Sequence, residues 1–90
     1  MENYIKHDTT KGRFYIEGPE KDKGEVTYLI KDDVMTINHT YVDPVYRGHQ
    51  YAKHLVVAAI ELAQSKQYKI NPTCSYALKV VDRDYPELMA

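Results

Sequence analysis

The sequence predicts an α+β domain: a mixed sheet, built from an antiparallel meander plus one parallel β-α-β crossover, with one long helix and a short C-terminal helix. Three observations lead there. Before Pro44, runs of β-branched and aromatic residues are separated by turn signals. From Gly48 to Lys66 the apolar residues switch to a helical period. A short strand-like run follows that helix, and strand–helix–strand within one sheet makes a parallel pair with a right-handed crossover.

Arg13 to Glu17 reads as a short strand, stopped by Gly18-Pro19. Pro19 to Gly24 is polar and turn-rich, a loop whose charged run Glu20-Lys21-Asp22-Lys23 is solvated. Glu25 to Lys31 is a second strand with Val26, Tyr28 and Ile30 on one face. Asp32-Asp33 makes a tight turn, and Val34 to Val42 returns to complete a hairpin. Alternation along this strand sets His39 on the face of Met35, Ile37 and Tyr41. Asp43-Pro44 ends it, because proline cannot donate to a ladder.

Tyr51, Ala52, Leu55, Ala59, Leu62 and Ala63 then form the apolar stripe of a helix of about five turns, with Lys53, His54, Glu61, Gln64 and Ser65 mostly opposite. Tyr68 to Cys74 is a short strand, and Pro72 consigns it to an edge or a splayed position. Ser75 is the expected cap of a short helix from Tyr76 to about Asp82, and Tyr85-Pro86-Glu87-Leu88 closes the chain. So few helices leave one sheet face poorly covered, a place for a ligand or a partner.

Length and charge exclude several functions. Ninety residues are expected to form a single domain over 1–90. A chain this short buries only about 60–65% of its unfolded surface, enough for one core. Twelve Lys and Arg against 13 Asp and Glu argue against a nucleic-acid binder. The lone cysteine, Cys74, rules out an intrachain disulfide and a cysteine-rich zinc site, and fits a reducing, cytoplasmic setting. Met1 to Lys6 carries no signal-like apolar run, and no stretch approaches bilayer length, so no membrane role is expected. His49 and His54 stand five apart, not on one helix face, so no metal site is expected. Nine Tyr beside one Phe and no Trp suit a half-buried sheet or a ligand cleft.

The chemistry concentrates between strand and helix, at Tyr46-Arg47-Gly48-His49-Gln50-Tyr51-Ala52. A strand that passes through a tight loop into a helix aims free backbone N–H groups at one point, and the helix dipole adds positive potential there. Phosphate or pyrophosphate is the natural occupant. Gly48 permits close backbone approach, and Arg47 and Lys53 add formal charge. Neither a Walker-type loop nor a strand-plus-GxGxxG fingerprint is present.

This segment resembles the pyrophosphate motif of the GNAT acetyltransferases, Arg/Gln-x-x-Gly-x-Gly/Ala. Arg47 stands at the first position and Ala52 at the last, and the segment departs from the pattern at Gln50, where the family places Gly. Asn38-His39-Thr40, Cys74-Ser75-Tyr76-Ala77 and Tyr85-Pro86-Glu87 resemble segments of a small, minimal GNAT-like family, in the same order over about residues 13 to 88. The resemblance implies a GNAT-like sheet and acetyl-CoA as cosubstrate. It also implies transfer of the acetyl group to an amine, here unidentified and either a small molecule or a protein. By this resemblance Arg47, Gly48, His49, Gln50, Tyr51, Ala52 and Lys53 hold the cofactor, and an N–H near Tyr41-Val42 polarises the thioester carbonyl.

The tyrosine acid of larger relatives would fall near Val81, which cannot serve. Two catalytic candidates remain, each with a plainer alternative. His39 is a candidate proton acceptor, an imidazole being the usual choice for that role, or is a satisfied half-buried histidine. Cys74 precedes a helix start where a thiolate is stabilised, or is a small buried residue. A non-catalytic acyl-CoA-binding or protein-interaction module on the same fold is the alternative function.

Overall fold

In the computed structural model, which describes residues 4–90, the strand-forming runs assemble into one sheet of order β1-β2-β3-β4-β5. The strands are β1 (Lys6–Asp8), β2 (Arg13–Ile16), β3 (Gly24–Lys31), β4 (Val34–Val42) and β5 (Lys69–Pro72). Helix α1 (Tyr51–Ser65) joins β4 to β5, and α2 (Ser75–Asp84) follows. The first four strands pair antiparallel, and β4 pairs with β5 in parallel. This is the expected meander and crossover, with one strand more.

That extra strand, β1, has no sequence signal because Lys6-His7-Asp8 is polar and does not alternate. Tertiary contact makes it a strand. The His7 ring stacks on Phe14 with centroids 4.0 Å apart, and its Nε2 shares a 2.6 Å hydrogen bond with the Tyr28 hydroxyl. Burial holds the His7 imidazole below its ordinary value, against the pull of Asp8.

The β3–β4 hairpin turns on Asp32 and Asp33, both at positive φ (53° and 63°). Two left-handed central residues are what a twist-matched two-residue turn needs. At the other end of β3, a Cβ on Gly24 would lie 2.8 Å from the Tyr41 carbonyl oxygen and 3.1 Å from Leu55 Cδ1. The missing side chain lets α1 and β4 close on each other.

Both helices differ slightly from the sequence expectation. α1 begins at Tyr51 rather than Gly48, because Gly48 and Gln50 take φ of 94° and 59°, which a right-handed helix cannot include. α2 begins at Ser75, so the cap position falls to Cys74 in extended backbone, and the helix runs to Asp84.

Phe14, Val26, Met35, Ile37 and Ile70 of the sheet join Leu55, Ile60 and Ala63 of α1 and Ala77 and Val81 of α2 in one buried cluster. Both helices therefore cover the same sheet face. On the other face Arg13, Tyr15, Glu25, Thr27 and Thr36 are half-buried, and Leu29, Lys31 and Tyr41 are exposed. β5 is an edge strand, as Pro72 requires.

The register of β3 against β4 shifts once. Thr27 faces His39 and Tyr28 faces Ile37, leaving Asn38 as an extra residue, with its side-chain oxygen bonded by the Thr27 hydroxyl. This bulge inverts the alternation beyond it. His39 and Tyr41 consequently lie on the uncovered face, opposite Met35 and Ile37. The expectation of one shared face is corrected, and so is that of a half-buried histidine, because the His39 side chain is 53% exposed.

Candidate functional site

Pairing of β4 with β5 ends at Ile37 and Pro72. The N–H groups of Thr73 and Cys74 both turn back to the Ile37 carbonyl, at 3.0 and 3.2 Å, and the two strands then part. Asp43 donates its N–H to the Lys23 carbonyl at 2.8 Å. Successive N–H groups of a strand point to opposite edges, so the Val42 N–H points away from β3, toward the gap left by β5. The Tyr41 N–H belongs to the β3 ladder.

The turn after β4 is held by Asp43, which is buried. Its carboxylate accepts the Val45 N–H at 3.0 Å and pairs with Lys21 Nζ at 3.1 Å. These contacts, the Val45 N–H first, hold its carboxyl below the usual range, so it stays ionised near neutrality. The chain makes one 3₁₀ turn at Pro44–Tyr46 and passes through Arg47 and Gly48 to the start of α1.

That start is uncapped. The first α-helical bond runs from the His54 N–H to the Gln50 carbonyl, so the N–H groups of Tyr51, Ala52 and Lys53 precede the ladder. Gln50, in the cap position, makes no side-chain cap bond, and the first turn carries no acidic residue. A Cβ on Gly48 would meet nothing within 4 Å, so glycine serves its positive φ and not its small size. Gln50 adopts the left-handed conformation in which the family motif has Gly. A side chain there costs about 1–2 kcal/mol.

Between this helix start and the parted strands lies a cleft of about 310 Å³, lined by Thr40, Val42, Tyr46, Arg47, Gly48, Gln50, Tyr51, Ala52 and Tyr76. Six of the nine cofactor candidates, Val42, Arg47, Gly48, Gln50, Tyr51 and Ala52, are among these residues. His49 stands beside them with its ring stacked on Tyr51, centroids 5.3 Å apart. Lys53 is exposed on the first turn of α1. Tyr41 lies outside the lining, on the uncovered sheet face.

Sequence reasoning missed three lining residues. Thr40 was hidden by the bulge, which moves it to the helix side. Tyr46 was inside the loop but carried no motif role. Tyr76, on the first turn of α2, lay in the segment Cys74-Ser75-Tyr76-Ala77 but out of register with the acid of larger relatives, so it carried no role.

The two catalytic candidates do not come together. The Cys74 thiol donates to Thr40 Oγ1 at 3.5 Å, on the cleft side of β4. Burial raises its pKa, but the Ala77 N–H, the Thr40 hydroxyl and the N–H groups of Tyr76 and Thr40 together bring it below the ordinary thiol value. His39, one residue from Thr40, faces the other side of the sheet, where its Nε2 lies 3.8 Å from Glu25 Oε2. Val81 is fully buried in the core. Among the described residues no group of three His, Cys, Asp or Glu is placed to hold a metal ion, and no helix is long and apolar enough to cross a membrane.

Parted parallel strands above an uncapped helix start define a class. The family model for GCN5-related N-acetyl-transferases matches residues 13–89, and the chain belongs to that family. Members take an acyl-CoA as cosubstrate and an amine as acceptor.

Among individual proteins, the chain is similar to Protein NATD1 of Danio rerio, with 30% identity over 88 residues, 94% of this chain and 80% of that protein. Protein NATD1 of Homo sapiens is 29% identical over 79 residues, 86% of this chain and 70% of that protein. The solution structure of a GCN5-like protein from Staphylococcus aureus superposes with a TM-score of 0.77 at 28% identity, covering 100% of this chain and 91% of that one. The fold is therefore the GNAT fold in a minimal form.

Proposed function

We propose that this chain is an acetyl-CoA-dependent N-acetyltransferase for an amine still to be identified. The observation that carries the reading is the uncapped start of α1 beside Arg47, opening on a cleft that runs along the unpaired edge of β4. Arg47 and the N–H groups of His49 to Ala52 would hold the pyrophosphate, and Lys53 adds charge at the same end. The Val42 N–H is the donor offered to the thioester oxygen. Bound acetyl-CoA supplies an activated acetyl group and a thiolate leaving group.

Two groups of the chain are proposed for the chemistry, from opposite faces of β4. His39, exposed on the uncovered face, would take a proton from an amine that arrives over that face. Cys74 stands on the cleft side, where a lowered thiol pKa suits either proton donation to the departing thiolate or brief acceptance of the acetyl group on its own sulfur. The expected result is amine-dependent thiol release from acetyl-CoA, abolished by Arg47→Ala in a protein that still folds. A folded wild-type protein that shows no heat with millimolar acetyl-CoA contradicts the reading.

A second reading, acyl-CoA binding without turnover, draws support from three observations. Gln50 occupies the left-handed motif position, Val81 is buried where larger relatives keep an acid, and His39 faces away from the cleft. Binding of acetyl-CoA with no thiol release across a broad amine panel selects this reading over the first.

A further inference from the structure

Beside the cleft the chain builds a small stack of rings. Tyr51 lines the cleft next to Arg47 and Gly48. The Tyr4 ring lies 5.5 Å from it, tilted by 51°, and the Tyr4 hydroxyl is hydrogen-bonded to His54 Nδ1. Tyr51 is thus braced from the N-terminal segment. His49 lies against it nearly parallel, at 5.3 Å and 22° between ring planes, and is itself exposed.

We propose that His49, held flat by Tyr51, is the platform on which the adenine ring of the CoA stacks. The proposal rests on the cofactor reading above and assigns the direction in which the cofactor lies. A CoA has two arms leaving its pyrophosphate. The pantetheine arm must run toward the parted strands, because the Val42 N–H and Cys74 lie there. The adenosine arm then leaves on the outer side of the α1 start, where His49 and Tyr51 stand. A purine needs a planar partner with one face open, and an imidazole already stacked on a half-buried tyrosine offers this with little side-chain freedom left to lose. Stacking needs no hydrogen-bond code, so one exposed ring suffices.

The test compares two probes by NMR titration of the full chain: CoA, and 4′-phosphopantetheine, which lacks the 3′-phosphoadenosine and one phosphate of the pyrophosphate, each read as the ratio of variant to wild-type affinity. His49→Ala is expected to weaken CoA about fivefold to a hundredfold, as when a stacked base loses its aromatic partner. The affinity for 4′-phosphopantetheine is expected to stay within twofold, and His49→Phe to restore CoA binding. Three results overturn the platform: CoA affinity unchanged in His49→Ala, equal weakening of both probes, or a His49→Phe variant as weak as the alanine. Wild-type protein that binds no CoA at millimolar concentration overturns the cofactor reading itself, which separates the two failures.

Discussion

From Val34 to Ile37, β4 has a hydrogen-bonded strand on each side and alternates buried Met35 and Ile37 with half-buried Val34 and Thr36. From Asn38 to Val42 the same strand keeps β3 but has lost β5, and none of its residues is fully buried. One half builds the core and the other borders the cleft. The boundary between them is one extra residue, Asn38, at the place where β5 turns away. A sheet can thus carry a stable interior and an unpaired polar edge within nine residues of one strand. The unpaired edge is tolerated because it faces a cleft and not packed side chains.

The largest effect on this division should come from Ile37→Ala, which should cost about 2–5 kcal/mol of stability as a buried truncation, seen as a lowered urea midpoint. Val42→Ala, in the half-buried segment, should cost clearly less in the same denaturation experiment.

Finer effects belong to the cleft half. The rate of Cys74 alkylation by iodoacetamide should rise with pH at a midpoint below that of an unperturbed cysteine in a short peptide measured alongside. Thr40→Val should shift that midpoint upward by removing one of the groups that favour the thiolate. A midpoint that stays put would exclude Thr40 from holding the sulfur. The smallest expected effect is from Gln50→Gly. It relieves a left-handed side chain at the expense of chain entropy, for a net gain of roughly 1 kcal/mol or less, read as a higher Tm. The same change should tighten CoA binding.

Legibility followed the same boundary. The buried half of β4, the hairpin turn and the α1 stripe all repeat with periods that local chemistry imposes, so the sequence displays them. The helix-start loop was legible too, since proline, glycine and arginine each act there through their own backbone or charge. A bulge leaves no period of its own, and Asn38 looks like any strand-edge polar residue. That hid the facing of His39, Thr40 and Tyr41. The strand at Lys6–Asp8 and the place of Tyr76 were hidden for a related reason, because both depend on contacts made by residues far away in the chain.

The most direct test of the account is an amide-shift map of the ¹⁵N-labelled protein titrated with acetyl-CoA. The account predicts saturable shifts concentrated at Val42 and from Gly48 to Lys53, while the amides of Val34 to Ile37 stay nearly still. Shifts centred on Val34 to Ile37, or no shifts at millimolar acetyl-CoA in a folded protein, would contradict it.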